Sequence, residues 1–483
     1  MNIKSISLNV GKALLVSALF MFLSLIVSVI DGRDSAFGPL AISFVITLIV
    51  GAFPFIFIRK TPPVTLHDGF LTIVLSWVLS FIFGMLPYVL WGGEFTLVNA
   101  WFESVSGYTT TGATILTDVE SLPRSLLFWR SSTHFIGGLG VVVFLLLVMP
   151  DASPYRLKLT NMEMSSLSKE GYRYKSSKIV WVIAMVYICL NVLALLSFWI
   201  AGMSFFDAMN HAFSIISTGG FSTKNCSIGQ FGSGVINAIA IVFMILSATH
   251  FGVLYGVFAT RSFRPLKNSI VLYYLGSIAA LTVMLFISLK ISGVEGGFGK
   301  TLFDSFFDVV SYMTSTGLAV SDNSSWPVLP GVILMIAAFH CGCSGSTTGG
   351  VKIDRIVLVF KGIGAEIKHR IHPYSVSHLK MDGHTLPENA VSAAQLFIVL
   401  YIMICLVSAI AVMMCGTAPA EAFSGAISSM GCVGPGLSSL GSLGNYASQP
   451  MMSKIIFSID MFLGRVEVFP VLIVVSMIFK RRK

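Results

Sequence analysis

Long apolar runs alternate with short polar stretches along the whole chain, and nine of them are long enough to cross a bilayer of about 30 Å. They fall near residues 11–30, 38–58, 70–91, 126–149, 179–201, 235–258, 268–289, 391–415 and 453–479. A tenth region, 328–362, begins apolar from Val328 to Phe339, turns small and polar from Cys341 to Gly350, and resumes from Val351 to Phe360. A helix interrupted at membrane depth is tolerated only where it is buried in protein or lines a water-filled cavity. The pattern predicts an all-α polytopic membrane protein with one broken span.

Between the spans lie four segments too short to cross. Aligned so that a glycine closes each, they read NAWFESVSGYTTTG (99–112), DAMNHAFSIISTGG (207–220), DSFFDVVSYMTSTG (304–317) and EAFSGAISSMGCVG (421–434). Each opens on Asn99, Asp207, Asp304 or Glu421, continues with a small residue, and carries a serine six places before its glycine: Ser106, Ser214, Ser311 and Ser428. The recurrence predicts four pseudo-symmetric units of helix, re-entrant pore helix and helix around one pore, preceded by two extra helices. The divisions are 1–66 for the extra helices and 67–150, 151–262, 263–385 and 386–483 for the units.

A cap residue followed by about ten helical residues spans about 15 Å, half a bilayer. The partially negative C-termini of four such helices, converging on one axis, favour a cation. The loops that follow can offer backbone carbonyls in place of an ion's hydration shell, with glycine supplying the bend. The candidate ion ligands are Thr110, Thr111 and Gly112; Thr218, Gly219 and Gly220; Ser315, Thr316 and Gly317; and Cys432, Val433 and Gly434.

Composition supports the membrane reading. Only 11% of the 483 residues are charged and 55% are hydrophobic, against about 25% charged in soluble domains; the mean hydropathy is +0.85. The net charge of +9 reports topology rather than nucleic acid, since 23 of the 31 basic residues fall on one side when the N-terminus is placed inside. Both termini are then cytoplasmic. The apolar run from Ala13 to Ile30 lacks a small-x-small cleavage site and reads as a first span rather than a leader. Seven cysteines imply no disulfide framework, and Cys341 with Cys343 suits a tight membrane segment better than a metal site. The spans hold no nucleophile–base or paired His/Asp/Glu spacing, so no enzyme is expected, and GSTTGGVK lacks the ending of a phosphate loop.

The filter strings TTTGAT (109–114), STGGFST (217–223), TSTGLAV (314–320) and CVGPGLS (432–438) resemble the TrkH/TrkG membrane subunits of the Trk/Ktr/HKT superfamily of potassium transporters. FIGGLGVVV (135–143), HCGCSGSTTGGVKIDR (340–355), HPYSVSHLK (372–380) with LPE (386–388), and FLGRVEVFP (462–470) extend the resemblance over nearly the whole chain. The resemblance implies a potassium-selective subunit of a bacterial inner-membrane uptake system, K+ bound in the filter, a homodimer, and a cytosolic TrkA-type nucleotide-binding partner. Glycine in all four loops favours potassium; a sodium-permeable or Na+/H+-coupled symporter of the same fold is the alternative. The broken span corresponds to an intramembrane gate, with Cys341, Gly342, Gly345, Ser346, Gly349 and Gly350 as its flexible residues. One departure is NMEMSSLSKEGYRYKSS (161–177), where the family carries a Pro-Gly element.

Arg465 lies inside the last span, where a charge is a functional candidate by default. By resemblance it faces the pore below the filter; the competing reading pairs it with Glu467 or Asp460. Arg130 reads as a snorkelling anchor. His134, His250 and His340 read as packing residues, and Lys352 with Arg355 as a cytoplasmic anchor or part of a partner surface.

Overall fold

The computed structural model describes residues 2–58, 65–148, 176–294, 296–374, 380–382, 384–386 and 390–480. Helices dominate them, and the described strands are a two-residue antiparallel pair, Lys380–Met381 with His384–Thr385. The atypical 161–177 stretch lies largely outside the described residues.

Helices α1 (Ile3–Ile30) and α2 (Phe37–Phe57) pack closely where two glycines meet. A Cβ on Gly11 would lie 2.6 Å from the Gly51 carbonyl oxygen, so small residues set this approach. The rest of the chain runs α3 (Leu66–Gly84), α4 (Leu86–Trp91), α5 (Leu97–Tyr108), α6 (Arg124–Val148), α7 (Ser176–Ile200), α8 (Phe205–Ile216), α9 (Gly234–Ser247) and α10 (Phe251–Thr260). It continues through α11 (Ser269–Ile291), α12 (Phe298–Met313), α13 (Val328–His340), α14 (Ile353–Ile371), α15 (Ala390–Met414), α16 (Pro419–Gly431), α17 (Met451–Arg465) and α18 (Phe469–Lys480). Among the described residues six helical spans are long and apolar enough to cross a bilayer, and the bent pair α9–α10 makes a seventh. Ile49, Phe57, Trp199 and Val407 are exposed on these helices, as side chains solvated by lipid would be.

Two expectations are corrected. The span at 235–258 is not continuous: α9 and α10 meet at 99°. No glycine or proline breaks it at Ala248–His250. Instead its freed carbonyls are taken by the segment that interrupts the third unit, Ala248 O accepting from Cys343 N at 2.9 Å. The span at 453–479 also breaks, between α17 and α18, where Glu467 and Val468 both hold positive φ. Three of the four units thus have an interrupted second helix, whereas the chain's polarity pattern marks only the one at 341–350.

The short helices α5, α8, α12 and α16 are the predicted re-entrant elements, and their caps lie further out than expected. Thr96 and Ser204 cap α5 and α8, their hydroxyls accepting from the Asn99 and Asp207 amides. Asn99, Asp207 and Glu421 therefore sit at the third helical position, where an acid complements the positive end of the helix. Helix α12 begins a full turn earlier still, at Gly297, which leaves Asp304 well inside it.

Candidate functional site

The four short helices end in one backbone motif. In α5, Thr110 N donates to Gly107 O and Thr111 N to Ser106 O; in α12, Ser315 N donates to Tyr312 O and Thr316 N to Ser311 O. Helices α8 and α16 close the same way, with Gly219 N on Ser214 O and Val433 N on Ser428 O. This is a Schellman ending, in which the residue after the cap is left-handed and usually glycine. Here it is Thr110, Thr218, Ser315 and Cys432, at φ of 55, 56, 53 and 52°. Holding a side chain in that region costs about 1–2 kcal/mol per residue, strain of the kind that clusters at functional sites. The glycine two places on is left-handed as well, with φ of 78° at Gly112, 86° at Gly220, 71° at Gly317 and 97° at Gly434. The shared serine supplies the carbonyl that anchors each ending, which gives its recurrence a backbone reason.

The loops close into a ring. A Cβ on Gly112 would collide with the carbonyl oxygen of Gly219, one on Gly220 with that of Thr316, one on Gly317 with that of Val433, and one on Gly434 with that of Thr111. Each loop therefore lays the carbonyl of its penultimate residue against the glycine of the loop before it, in the cyclic order one, two, three, four. A vestibule of about 100 Å³ opens above, with all four glycines in its lining. Oxygens in such a ring can replace the hydration shell of a dehydrated monovalent cation.

The interrupted segment between α13 and α14 reaches the ends of the second, third and fourth short helices. Gly349 N donates to Ser315 Oγ at 3.3 Å, and a Cβ on Gly349 would lie 2.6 Å from Gly431 O, beside Cys432. Thr347 Oγ1 donates to Ile216 O, the end of α8, and to Ser247 O. Gly345 O accepts from Phe251 N, Gly342 O from Ile353 N, and Ser346 Oγ donates to Cys343 O. Cys341 Sγ donates to Ala338 O, and Gly350 holds φ of 66° against that sulfur.

Arg465 joins this segment to the first unit. Its guanidinium donates to Thr347 O at 2.5 Å and to Gly137 O at 2.9 Å, and the residue is 6% exposed. Neither expected carboxylate holds it. Glu467 is bound by Lys352 and Arg355, each at 2.5 Å, and Asp460 accepts from Ser408 Oγ at 2.6 Å. Lys352 and Arg355 are therefore tied to the break between α17 and α18 rather than free at the surface, with the Arg355 guanidinium 3.9 Å from the Phe397 ring centre.

Arg130 is not a snorkelling anchor. It is 2% exposed and pairs at 2.7 Å with Glu103, itself fully buried in α5. Its other nitrogens donate to Ser222 O and Thr114 Oγ1, and the guanidinium lies 3.8 Å from the Phe221 ring centre. The pair clamps the chain just beyond the first two filter glycines. The sequence signal was the lone acid inside α5, nine residues before Gly112. His134 ties the same loops together: Nδ1 donates to Gly107 O at 2.7 Å, because Nε2 accepts the Phe221 amide at 3.2 Å. His250 caps α10 through Nδ1, and His340 bonds Ile336 O on its own helix.

Known proteins resemble this chain along nearly its whole length. The TrkH family model, described as a cation transport protein, matches residues 39–294 and 297–482. The chain is 32% identical to the Trk system potassium uptake protein TrkH of Salmonella typhimurium, over all of both chains. It is 33% identical to the Trk system potassium uptake protein TrkG of Escherichia coli, over 91% of each. The crystal structure of the potassium transporter TrkH from Vibrio parahaemolyticus superposes with a TM-score of 0.87, at 29% identity, over 98% of each chain. With a family model covering nearly its full length and relatives matched end to end, this multi-pass membrane protein belongs to the TrkH family of cation transport proteins.

Proposed function

We propose that this chain is the ion-translocating subunit of a potassium uptake system, carrying K+ inward through the ring formed by the carbonyls of Thr111, Gly219, Thr316 and Val433. The observation that carries the reading is that ring: four loops of different sequence share one strained backbone, and each fills with a carbonyl the space a side chain would need on its neighbour. The names of the full-length relatives, potassium uptake proteins of a Trk system, supply the ion. The segment from Cys341 to Gly350 is the gate, and Arg465 holds it shut as a positive charge with no carboxylate partner among the described residues. Both termini face the cytoplasm, the four units divide as the glycine spacing divides them, and the protein works as a homodimer with a nucleotide-binding cytosolic partner.

Rubidium flux into vesicles holding the purified chain, with and without that partner, tests the ion and the partner together. Gly220→Ala places a methyl against the Thr316 carbonyl and should lower uptake by about tenfold or more. Gly276→Ala, with open space around the added carbon, should transport normally. Equal flux through both variants would remove the ring from the ion pathway.

A further inference from the structure

The position nine residues before each filter glycine carries Glu103, His211, Asp308 and Gly425. In the first two units this side chain braces the hydroxyl two places beyond the glycine. Glu103 accepts from Thr114 Oγ1 at 3.0 Å, and His211 Nε2 meets Ser222 Oγ at 3.0 Å. In the third unit the braced position is Ala319, which has no hydroxyl and whose amide donates to Ser227 Oγ. Asp308 keeps the acid and has lost its counterpart. It is 1% exposed, and neither carboxyl oxygen has a hydrogen-bond partner among the described residues.

A bare carboxylate in that setting would cost several kcal/mol, so the group is stable there as the neutral acid. Among the described residues, no cation stands ready to pair with it. Of the helices packed on α12, α9 carries no ionisable residue and α13 only His340, at its far end. Helix α11 carries Tyr273, Tyr274 and Lys290, whose ammonium donates to Gly296 O. On α12 itself, the Tyr312 hydroxyl accepts from Asn323, and Lys300 lies two turns outward. One turn outward, half-buried Asp304 faces the same side at the i,i−4 spacing and leads to the mouth of the helix.

We propose that Asp308 is a proton-binding site, exchanging one proton with the external solution by way of Asp304 and setting the field behind the third filter loop. On release the carboxyl O–H bond breaks, the proton passes to the Asp304 carboxylate and then to water, and a negative charge is left behind Gly317. That charge tightens cation binding in the ring. The inference rests on the potassium-pathway reading and its orientation.

The test uses the full-length chain in vesicles, with rubidium uptake measured between about pH 5.5 and about pH 8 outside. The half-saturating rubidium concentration should fall about sevenfold as pH rises, the effect of a unit charge about 14 Å away at an effective dielectric of about 20. Asp308→Asn should transport with no such dependence. A flat profile in the parent, or an unchanged slope in Asp308→Asn, overturns the proposal. Infrared spectroscopy reads the proton without transport: a carboxylic-acid carbonyl band that fades with rising pH and is missing in Asp308→Asn supports the site, and its absence from the parent overturns it. A parent chain that shows the band but passes no rubidium refutes the pathway reading and leaves the proton site standing.

Discussion

Arg130 and Glu103 are buried together beside the vestibule, and such a pair is valuable for what happens when half of it is removed. Taking one partner away leaves an uncompensated buried charge, which costs about 3–5 kcal/mol, whereas replacing both with apolar side chains of similar volume can be nearly neutral. Arg130→Met and Glu103→Leu should each lower the detergent melting temperature sharply, and the double variant should recover most of the loss. Melting followed by the intrinsic fluorescence of Trp129 and its neighbours measures this; additive losses would mean that the two residues act independently. The double variant should still transport poorly, because it no longer holds Thr114, Ile115 and Ser222 in place beyond the first two glycines. Stability and flux therefore separate at this pair.

At the scale of elements, the proposed gate lies in an interrupted helix. The segment from Cys341 to Gly350 is held by a few bonds spread over several elements: Cys343 and Thr347 to the end of α9, Thr347 to Ile216, Gly345 to Phe251, Gly342 to Ile353, Gly349 to Ser315, and Thr347 O to Arg465. Arg465→Ala removes its tie to α17 and the only charge donating to it among the described residues, so rubidium flux through purified vesicles should rise several-fold; unchanged or lower flux would make Arg465 a structural strut. How legible these breaks are depends on where their cause lies. The one at Cys341–Gly350 is written locally, in a run of small and polar residues within an apolar span. The one at Ala248–His250 is not, because its kink is stabilised by amide and hydroxyl donors that arrive from about a hundred residues away. Thr96 and Ser204 could have been read as caps from their spacing to Asn99 and Asp207. Arg130 was misread because its partner lies in a different helix.

Across the whole molecule, the proposed topology decides which way the ring and its vestibule face. The vestibule above the glycines is lined by the loops that follow the short helices, and Lys224 is the charged residue there besides buried Arg130. Among the described residues, Lys368 and Arg370 close α14 and belong to the set of 23 that the sequence pattern assigns to one side. On the proposed topology, with lysine and arginine retained on the cytoplasmic face, the vestibule looks outward. Cysteine chemistry can test this without engineering new sites. Cys226 is exposed in the loop that follows the second filter glycine, whereas Cys189 is exposed on the apolar surface of α7, where a water-borne reagent has no access. A membrane-impermeant maleimide added to intact spheroplasts should label the parent chain and label Cys226→Ala less, since only half-exposed Cys415 then remains near that face. Labelling that appears only after the membrane is opened would turn the molecule over, placing the vestibule in the cytoplasm and reversing the direction in which the ring first meets its ion.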